Sequence, residues 1–218
     1  MTNTEEVDFY FDFTSPYSYL AWETLLRDES LVLNPIPVMV GKLISEAGSI
    51  GPGEVKPKRE YLFKDCLRKA SESDIVLRAP KSLPFNPMGV LRLAIAAEQD
   101  RELQRKVITA VFRYGWREGS DFENYEGLRD FICKECDISV DQYSELDNEK
   151  SARKGLKSNI KQAVELGIFG VPTFKVGAET FWGLDSLRFV KEEVSQTSKN
   201  IELEFNRFVK ILEGEKDA

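Results

Sequence analysis

β-Strand patterns are confined to the two ends of this chain, and roughly 125 residues of helical pattern separate them. Residues 7–13 alternate and are rich in aromatic side chains, a helical pattern follows to about Asp28, and residues 31–40 form a second strand pattern. Near the other end, residues 172–176 and 179–182 predict a strand, a tight turn and a strand. A β-α-β unit and a β-β-α unit are expected to form two halves of one small sheet.

The central part of the chain is predicted to be helical. From Lys42 to about Leu166 apolar residues recur three and four positions apart, and Gly167 ends the last of these helices. The predicted fold class is therefore α/β, a thioredoxin-like βαβ…ββα domain interrupted by a large all-helical insertion. The thioredoxin-like domain is assigned to residues 5–43 and 165–218, and the insertion to residues 44–164.

Two helices are predicted after the second strand pair. Asp185 is placed to cap a helix that carries Leu187, Val190 and Val194. A final helix has a single apolar stripe, formed by Ile201, Phe205, Phe208 and Leu212. This stripe is expected to pack either on the body of the protein or on a second subunit.

The sequence contains no histidine. This excludes a Ser–His or Cys–His couple, a zinc site with histidine ligands and an imidazole general base. The formal net charge is −7 and no block of lysine and arginine stands out, so binding to nucleic acid or anionic lipid is not expected. The apolar runs are far shorter than the about 20 residues of a membrane span. Residues 1–6 lack the features of a secretory signal, so a cytoplasmic protein is predicted.

Three cysteines, Cys66, Cys133 and Cys136, are expected to be reduced in the cytoplasm. Cys133 and Cys136 have the spacing of a redox or metal-binding pair. A redox pair normally opens a helix, whereas this pair follows an amphipathic stretch. A four-thiolate zinc site would need two more ligands from a chain with one other cysteine. The sequence therefore predicts two cysteines at a helix end without a catalytic role, and no metal site.

Ser15 lies where the first predicted strand turns into the first predicted helix. Serine followed by Pro16 is the pattern of an N-cap and a first helical residue. The helix end carries about +0.5 elementary charge and, with a hydrogen bond from the hydroxyl, stabilises a bound thiolate. Without a histidine base Ser15 is a poor nucleophile. Two interpretations remain open: Ser15 donates to the thiolate of a bound molecule, or it only caps its own helix.

A second candidate site is the segment Gly170–Thr173. Pro172 has no N–H to donate to a sheet, so it belongs at the start or the edge of a strand. If the Val171–Pro172 bond is cis, the backbone N–H and C=O of Val171 are expected to face outward, ready to pair with an extended peptide-like ligand. A trans proline that merely starts a strand is the more common case.

Taken together, these segments resemble one family. FYFDFTSPYSYL (9–20), GIFGVPTF (167–174) and FWGLD (181–185) are similar to the two signatures of the 2-hydroxychromene-2-carboxylate isomerases and their relatives, the kappa-class glutathione transferases. Both belong to the DsbA-type branch of thioredoxin-like proteins. Weaker similarities, such as GSIGP (48–52) and YLFKD (61–65), lie between them, so the resemblance runs from about residue 7 to residue 194.

The resemblance implies glutathione as the cofactor. Ser15 matches the catalytic serine, which hydrogen-bonds the glutathione sulfur. Val171, before a proline that is cis in the family (Pro172 here), matches the residue whose backbone pairs with the tripeptide. Asp185 matches the aspartate near the γ-glutamyl end of glutathione, with plain helix capping as the alternative.

This chain departs from the family pattern at three positions. The family commonly has asparagine at the position of Ser49, a polar residue at Leu184 and arginine at Ser186. Ser49 and Ser186 retain hydrogen-bonding groups and are assigned to the glutathione site, whereas Leu184 has none. The signature at the sulfur end is intact, and the signature at the carboxylate end is eroded.

The resemblance implies a glutathione-dependent cis–trans isomerase that acts on a small aromatic or conjugated electrophile. A thiolate that adds to an electron-poor double bond allows rotation and is then expelled, so no histidine is needed. The residues assigned to the substrate are Tyr17, Tyr19 and Trp182 as an aromatic wall and Lys42 or Arg92 as partners of a carboxylate, although aromatics near a strand end often belong to the core. The family also implies a homodimer.

Other functions are weighed against the isomerase. A kappa-like glutathione transferase needs the same thiolate without the expulsion step. A thiol-disulfide oxidoreductase is disfavoured because Ser15 and Ser18 stand at the two usual cysteine positions. A non-catalytic binding protein that keeps the thioredoxin-like fold is compatible with the changes at Leu184 and Ser186.

Overall fold

A computed structural model describes residues 6–28 and 30–213. The strands are β1 (Glu6–Phe11), β2 (Val32–Pro37), β3 (Thr173–Val176) and β4 (Glu179–Trp182). The helices are α1 (Pro16–Leu25), α2 (Val40–Glu46), α3 (Lys56–Glu72), α4 (Met88–Ala96), α5 (Arg101–Phe112), α6 (Tyr125–Cys136), α7 (Val140–Asp147), α8 (Ser151–Glu165), α9 (Leu187–Val194) and α10 (Glu202–Leu212). A π-helical turn covers Arg113–Arg117, and a 3-10 turn covers Leu184–Ser186. Within the described ranges, no helix combines the length and the apolar character needed to cross a membrane.

The two ends of the chain form one four-stranded sheet in the order β2-β1-β3-β4. β1 pairs in parallel with β2 and antiparallel with β3, and β3 and β4 form an antiparallel hairpin. The predicted α/β class, with a helical stretch between two halves of one sheet, is thus confirmed. Because Tyr10 of β1 is paired with Thr173 of β3, the turn that follows β1 and the loop that precedes β3 lie at the same edge of the sheet.

Aromatic side chains of β1 pack the sheet against α1. Phe9 stacks on Phe174 of β3 at 5.3 Å between ring centroids and on Trp22 of α1 at 5.8 Å. The same buried cluster includes Val107 and other side chains of the central helices. The central helices therefore share a core with the sheet, and the division of the chain at residues 44 and 164 stays a proposal.

The prediction that Asp185 caps a helix is wrong. Asp185 lies inside the 3-10 turn, and Ser186 stands at the N-cap of α9 without a side-chain capping bond. The Asp185 carboxylate pairs with Lys69 of α3 instead. The 3-10 turn places Asp185 one residue before the N-cap of α9, so its carboxylate is not at the position from which a side chain caps that helix.

The apolar stripe on the last helix is exposed. The exposed fractions are 70% for Ile201, 59% for Phe205, 66% for Phe208 and 85% for Leu212. The stripe therefore does not pack on the described body of the protein, and its contact with a second subunit stays a prediction.

An ion pair between Asp28 and Lys191 of α9 predicts loss of stability in acid. The Lys191 Nζ lies 2.5 Å from Asp28 Oδ2, and with two hydrogen bonds from Ser30 this lowers the pKa of Asp28 from 3.8 to about 2. Because the folded pKa is below the unfolded one, this stabilisation is complete above the unfolded pKa and is lost as the pH falls through the folded pKa. We expect urea denaturation to show a steeper loss of unfolding free energy between about pH 4 and pH 2 for the wild type than for Asp28→Asn. Parallel curves would contradict this prediction.

Candidate functional site

The first turn of α1 is built around Ser15. Its backbone is extended (φ −93°, ψ 112°), Pro16 is the first helical residue, and the Ser15 Oγ accepts the N–H of Ser18 at 3.1 Å. A hydroxyl has one hydrogen to donate and two lone pairs to accept with. Capping uses only a lone pair, and the Ser15 O–H donates to no other described residue, so it is available to a ligand. The capping role and the thiolate-binding role of Ser15 are therefore compatible.

The loop before β3 presents free backbone groups next to this turn. The Val171–Pro172 bond is cis. Among residues 6–28 and 30–213, no hydrogen bond uses the N–H or the C=O of Val171. The neighbouring groups are paired: Gly183 N–H donates to the Pro172 C=O at 2.8 Å, and the Thr173 hydroxyl donates to the Gly170 C=O at 2.7 Å. The loop is thus held in place while one residue, Val171, keeps both backbone groups available to an extended ligand.

Two exposed aromatic side chains flank this loop. Trp182 is 58% exposed and Phe169 is 48% exposed, and their rings meet edge to face at 4.9 Å. A Cβ placed on Gly170 would lie 2.8 Å from the Trp182 Nε1, so the indole rests directly on this glycine. Trp182, which the sequence assigned to an aromatic wall, is therefore accessible beside Val171.

A chain of polar contacts links α1 to the 3-10 turn through α3. The Tyr17 hydroxyl donates to Asp65 Oδ2 at 2.7 Å, and Lys69 Nζ lies 3.9 Å from the same oxygen. Lys69 Nζ also lies 2.5 Å from Asp185 Oδ1. Sequence reasoning missed Asp65 and Lys69 as members of the site. Their four-residue spacing places them on one face of a helix but does not show what that face meets.

Asp12 is a third member of the site that sequence reasoning missed. Its carboxylate is 1% exposed, Oδ1 accepts the N–H and the hydroxyl of Thr14 at 2.9 and 3.0 Å, and Oδ2 accepts the N–H of Val40 at 2.8 Å. Burial raises the pKa of Asp12, and these hydrogen bonds oppose the rise. One carboxylate thus joins the turn that carries Ser15 to the first residue of α2. A single acidic residue between the aromatic residues of positions 9–13 is the sequence signal that could have revealed it.

The two tyrosines assigned to the aromatic wall have separate surroundings. Tyr17 is half-buried, and burial followed by the bond to Asp65 raises the pKa of its hydroxyl. Tyr19 is 1% exposed and its hydroxyl donates to the Val76 C=O at 2.7 Å. The structure therefore places Tyr19 in the core and not along an accessible wall, because its position on α1 faces the central helices.

The structure does not link Lys42 or Arg92 to Ser15. Lys42 is exposed and pairs with Glu46 at 2.9 Å within α2. Arg92 donates to the Met88 C=O at 3.1 Å and lines a groove whose lining contains no other predicted site residue. Their assignment to a substrate carboxylate stays a prediction.

The two serines assigned to the glutathione site differ in the hydrogen bonds that they already make. Ser49 is exposed in the segment that follows α2, and its N–H donates to the Ile44 C=O at 3.0 Å. The Ser186 hydroxyl donates to the Trp182 C=O at 2.7 Å. Ser186 therefore uses its only hydrogen on the backbone of β4, and its lone pairs alone remain for a ligand.

The cysteine thiols of this chain ionise less readily than a free thiol. Burial raises the pKa of Cys66 to about 12 and the pKa of Cys136 to about 11. Cys133 and Cys136 lie in the last turn of α6, where the sequence placed them, and the Cys133 Sγ is 3.8 Å from the Ser139 C=O. The thiolate is the reactive form of cysteine, so these groups are poorly suited to disulfide exchange at neutral pH.

Comparisons with known proteins agree with this geometry. The model of the DSBA-like thioredoxin domain matches residues 6–195. A 2-hydroxychromene-2-carboxylate isomerase of Sphingobium xenophagum is 28% identical over 193 residues, which cover 86% of this chain and 97% of that protein. Glutathione S-transferase kappa 1 of Caenorhabditis elegans is 26% identical over 213 residues, which cover 90% of this chain and 93% of that protein.

A solved structure extends the comparison. The structure of a 2-hydroxychromene-2-carboxylate isomerase superposes with a TM-score of 0.77 at 26% identity and covers 87% of this chain and 94% of that chain. The predicted resemblance to these isomerases and kappa transferases, and the prediction of an enzyme of this kind, are confirmed. The chain belongs to the family of DSBA-like thioredoxin domains.

Proposed function

We propose that this protein is a glutathione-dependent cis–trans isomerase of the 2-hydroxychromene-2-carboxylate isomerase type. The observation that carries the proposal is Ser15, which caps α1 through a lone pair and keeps its O–H free at the positive end of the helix. The first turn of a helix combined with one hydroxyl donor is suited to a thiolate and not to a neutral thiol. The relatives named as isomerases support this reaction for a chain with this site.

The residues present fit the tripeptide glutathione. The free N–H and C=O of Val171 would pair with its backbone, as an added strand does. The carboxylate of Asp185, whose side chain is 81% exposed, would accept a hydrogen bond from the α-amino group of glutathione. Ser49 and Ser186 are proposed as further polar contacts, while Leu184 contributes only apolar surface. This set recognises a short peptide by its backbone and its charged end.

The proposed mechanism requires no general base from the chain. When bound, glutathione would supply a thiolate nucleophile for reversible addition to an electron-poor carbon–carbon double bond, the chemistry that cis–trans isomerisation needs. Ser15 holds the negative charge by donating its O–H, and the end of α1 adds its partial positive charge. Trp182 and Phe169 provide apolar surface for an aromatic or conjugated substrate.

A kappa-like glutathione transferase is the second candidate. The observation that favours it is the match to relatives named glutathione S-transferase kappa, which reach 26% identity against 28% for the isomerases. Conjugation uses the same bound thiolate and ends with the sulfur–carbon bond in place. Assays with a chromene-type hydroxy acid and with an aryl halide, each with glutathione, separate isomerisation from conjugation.

A thiol-disulfide oxidoreductase is not favoured. Solved structures of DsbA-type oxidoreductases superpose on this chain, but at 11–16% identity they show only the shared fold. Serines occupy positions 15 and 18, and the Ser18 hydroxyl is buried without a partner in the described structure. Burial raises the pKa of all three cysteines, including the partly exposed Cys133, so they do not replace a reactive pair.

Further properties belong to the same proposal. We propose a cytoplasmic homodimer without nucleic-acid or membrane partners, in line with the net charge of −7 and the exposed stripe of α10. Its partners would be glutathione and a small aromatic or conjugated electrophile.

Glutathione binding is the direct test of the proposed function. We expect isothermal titration of the wild-type protein to show a single site for glutathione at concentrations up to the millimolar range. We also expect the bound thiol to ionise below its free pKa of about 8.5, read from the ultraviolet band of the thiolate. Absence of binding at millimolar glutathione would instead support a non-catalytic protein that keeps the fold.

A further inference from the structure

Helix α3 contributes one cation to the proposed glutathione site. Lys69 lies in the last turn of α3, and its side chain is 23% exposed. Its Nζ lies 2.5 Å from Asp185 Oδ1 and 3.9 Å from Asp65 Oδ2. The bond to Asp185 raises the pKa of Lys69, so the side chain is an ammonium at neutral pH.

The 3-10 turn cannot supply a cation by itself. It consists of Leu184, Asp185 and Ser186, of which one is apolar and one carries a hydroxyl already donated to the Trp182 C=O. A carboxylate on this turn therefore meets a positive charge only from another element. In the described structure that charge is Lys69, which is 116 positions away in the chain.

The Lys69–Asp185 pair retains hydrogen-bonding capacity toward solvent. An ammonium has three N–H donors, and the described structure provides two carboxylate acceptors within 4 Å of it. The Asp185 side chain is 81% exposed, and its Oδ2 makes no hydrogen bond within the described structure. An exposed pair of opposite charges is complementary to a ligand that carries an ammonium and a carboxylate on the same carbon.

The surrounding contacts place this pair in the site and hold it there. The Tyr17 hydroxyl donates to Asp65, and Tyr17 lies two positions after Ser15 in the first turn of α1. The 3-10 turn that carries Asp185 also contacts α1. A series of polar contacts thus connects the helix end, where a thiolate would be held, to the charged pair.

We propose that Lys69 determines specificity for glutathione by binding the α-carboxylate of its γ-glutamyl residue while Asp185 binds the α-amino group. This inference rests on the proposed function, because it describes one end of the same site. A surface ion pair contributes little to stability, whereas hydrogen bonds from a charged group to a bound charged ligand contribute more. The effect of Lys69 should therefore appear in ligand affinity more than in folding.

Two analogues of glutathione test Lys69 and Asp185 separately. 4-Aminobutyryl-Cys-Gly lacks the α-carboxylate, and glutaryl-Cys-Gly lacks the α-amino group, while both keep the cysteine and the glycine. We expect Lys69→Met to weaken glutathione binding about tenfold or more and to leave binding of 4-aminobutyryl-Cys-Gly nearly unchanged. We expect Asp185→Asn to weaken glutathione binding by a similar factor and to leave binding of glutaryl-Cys-Gly nearly unchanged.

Control variants separate recognition from structure. Lys69→Arg keeps the charge and should restore most of the glutathione affinity. Lys161→Met removes a lysine of α8 that pairs with Glu165 at 3.5 Å, and it should change no affinity. Turnover at saturating glutathione should stay at the wild-type value in Lys161→Met, because this lysine lies outside the candidate site.

The outcomes distinguish this inference from the proposed function. Equal losses of affinity for glutathione and for 4-aminobutyryl-Cys-Gly in Lys69→Met would show a structural role and overturn the inference. An unchanged glutathione affinity in Lys69→Met would also overturn the inference. The proposed function would still stand in that case, because the wild-type protein would bind glutathione. A wild-type protein that binds none of the three thiols would overturn both.

Discussion

Ser15→Ala is expected to lower turnover at saturating glutathione about 10-fold to 100-fold, because the thiolate loses a hydrogen bond of about 1.5–3 kcal/mol. At about 1.36 kcal/mol per pKa unit, the same loss raises the pKa of the bound thiol by about one to two units. The affinity for glutathione should change little, since the backbone of Val171 and the Lys69–Asp185 pair are untouched. The thiolate band and steady-state rates measure these effects.

The neighbouring serine provides a matched control for this prediction. The Ser18 hydroxyl is buried in the same turn and has no partner among the described residues, so Ser18→Ala should leave turnover near the wild-type value. Ser15→Thr keeps both the cap and the donor and should retain most of the activity. An unshifted thiol pKa in Ser15→Ala would refute the role of this hydroxyl.

Asp12→Ala is expected to reduce the free energy of unfolding by about 3 kcal/mol, because it removes a buried carboxylate and leaves the partly buried N–H groups of Thr14 and Val40 without their acceptor. Asp12→Asn should be nearly as harmful, since its NH₂ group would face one of these donors. Both variants release the turn that carries Ser15, so their turnover should fall even where the protein is folded. Urea denaturation measures the loss of stability.

Asp8 is the control on the same strand. It is only half-buried, and its Oδ1 accepts one hydrogen bond from Asn34 Nδ2 at 2.8 Å. Asp8→Asn should therefore cost about 1 kcal/mol or less. Losses of similar size in Asp8→Asn and Asp12→Ala would mean that the three hydrogen bonds to Asp12 do not stabilise the fold as proposed.

Local patterns in the sequence predicted most of the elements. The bounds of β4 agree with the predicted 179–182, and Ser15 caps α1 as its position before Pro16 indicated. The long helical stretch and its separation of two halves of one sheet follow from the spacing of apolar residues. These features depend on residues a few positions apart, which the sequence displays directly.

The sequence predicted the residues of the candidate site less well than it predicted the secondary structure. Aromatic residues at helical spacing do not reveal which ring faces the core, so Tyr19 was assigned to a wall although it is buried. Lys42 and Arg92 were chosen for their charge, but their partners lie within their own helices. The role assigned to Ser15 came from the resemblance to a family, because a serine that caps a helix does not by itself indicate a catalytic function.

The sequence alone determined the strands, the helices and the capped helix end, because backbone preferences and side-chain periodicity act between near neighbours. Only the tertiary structure decided which charges meet. Asp12 reaches Val40, and Lys69 of α3 reaches Asp185 after β4, through the packing of elements that are distant along the chain. Such pairs depend on how helices lie against the sheet, and no local pattern along the chain specifies that arrangement.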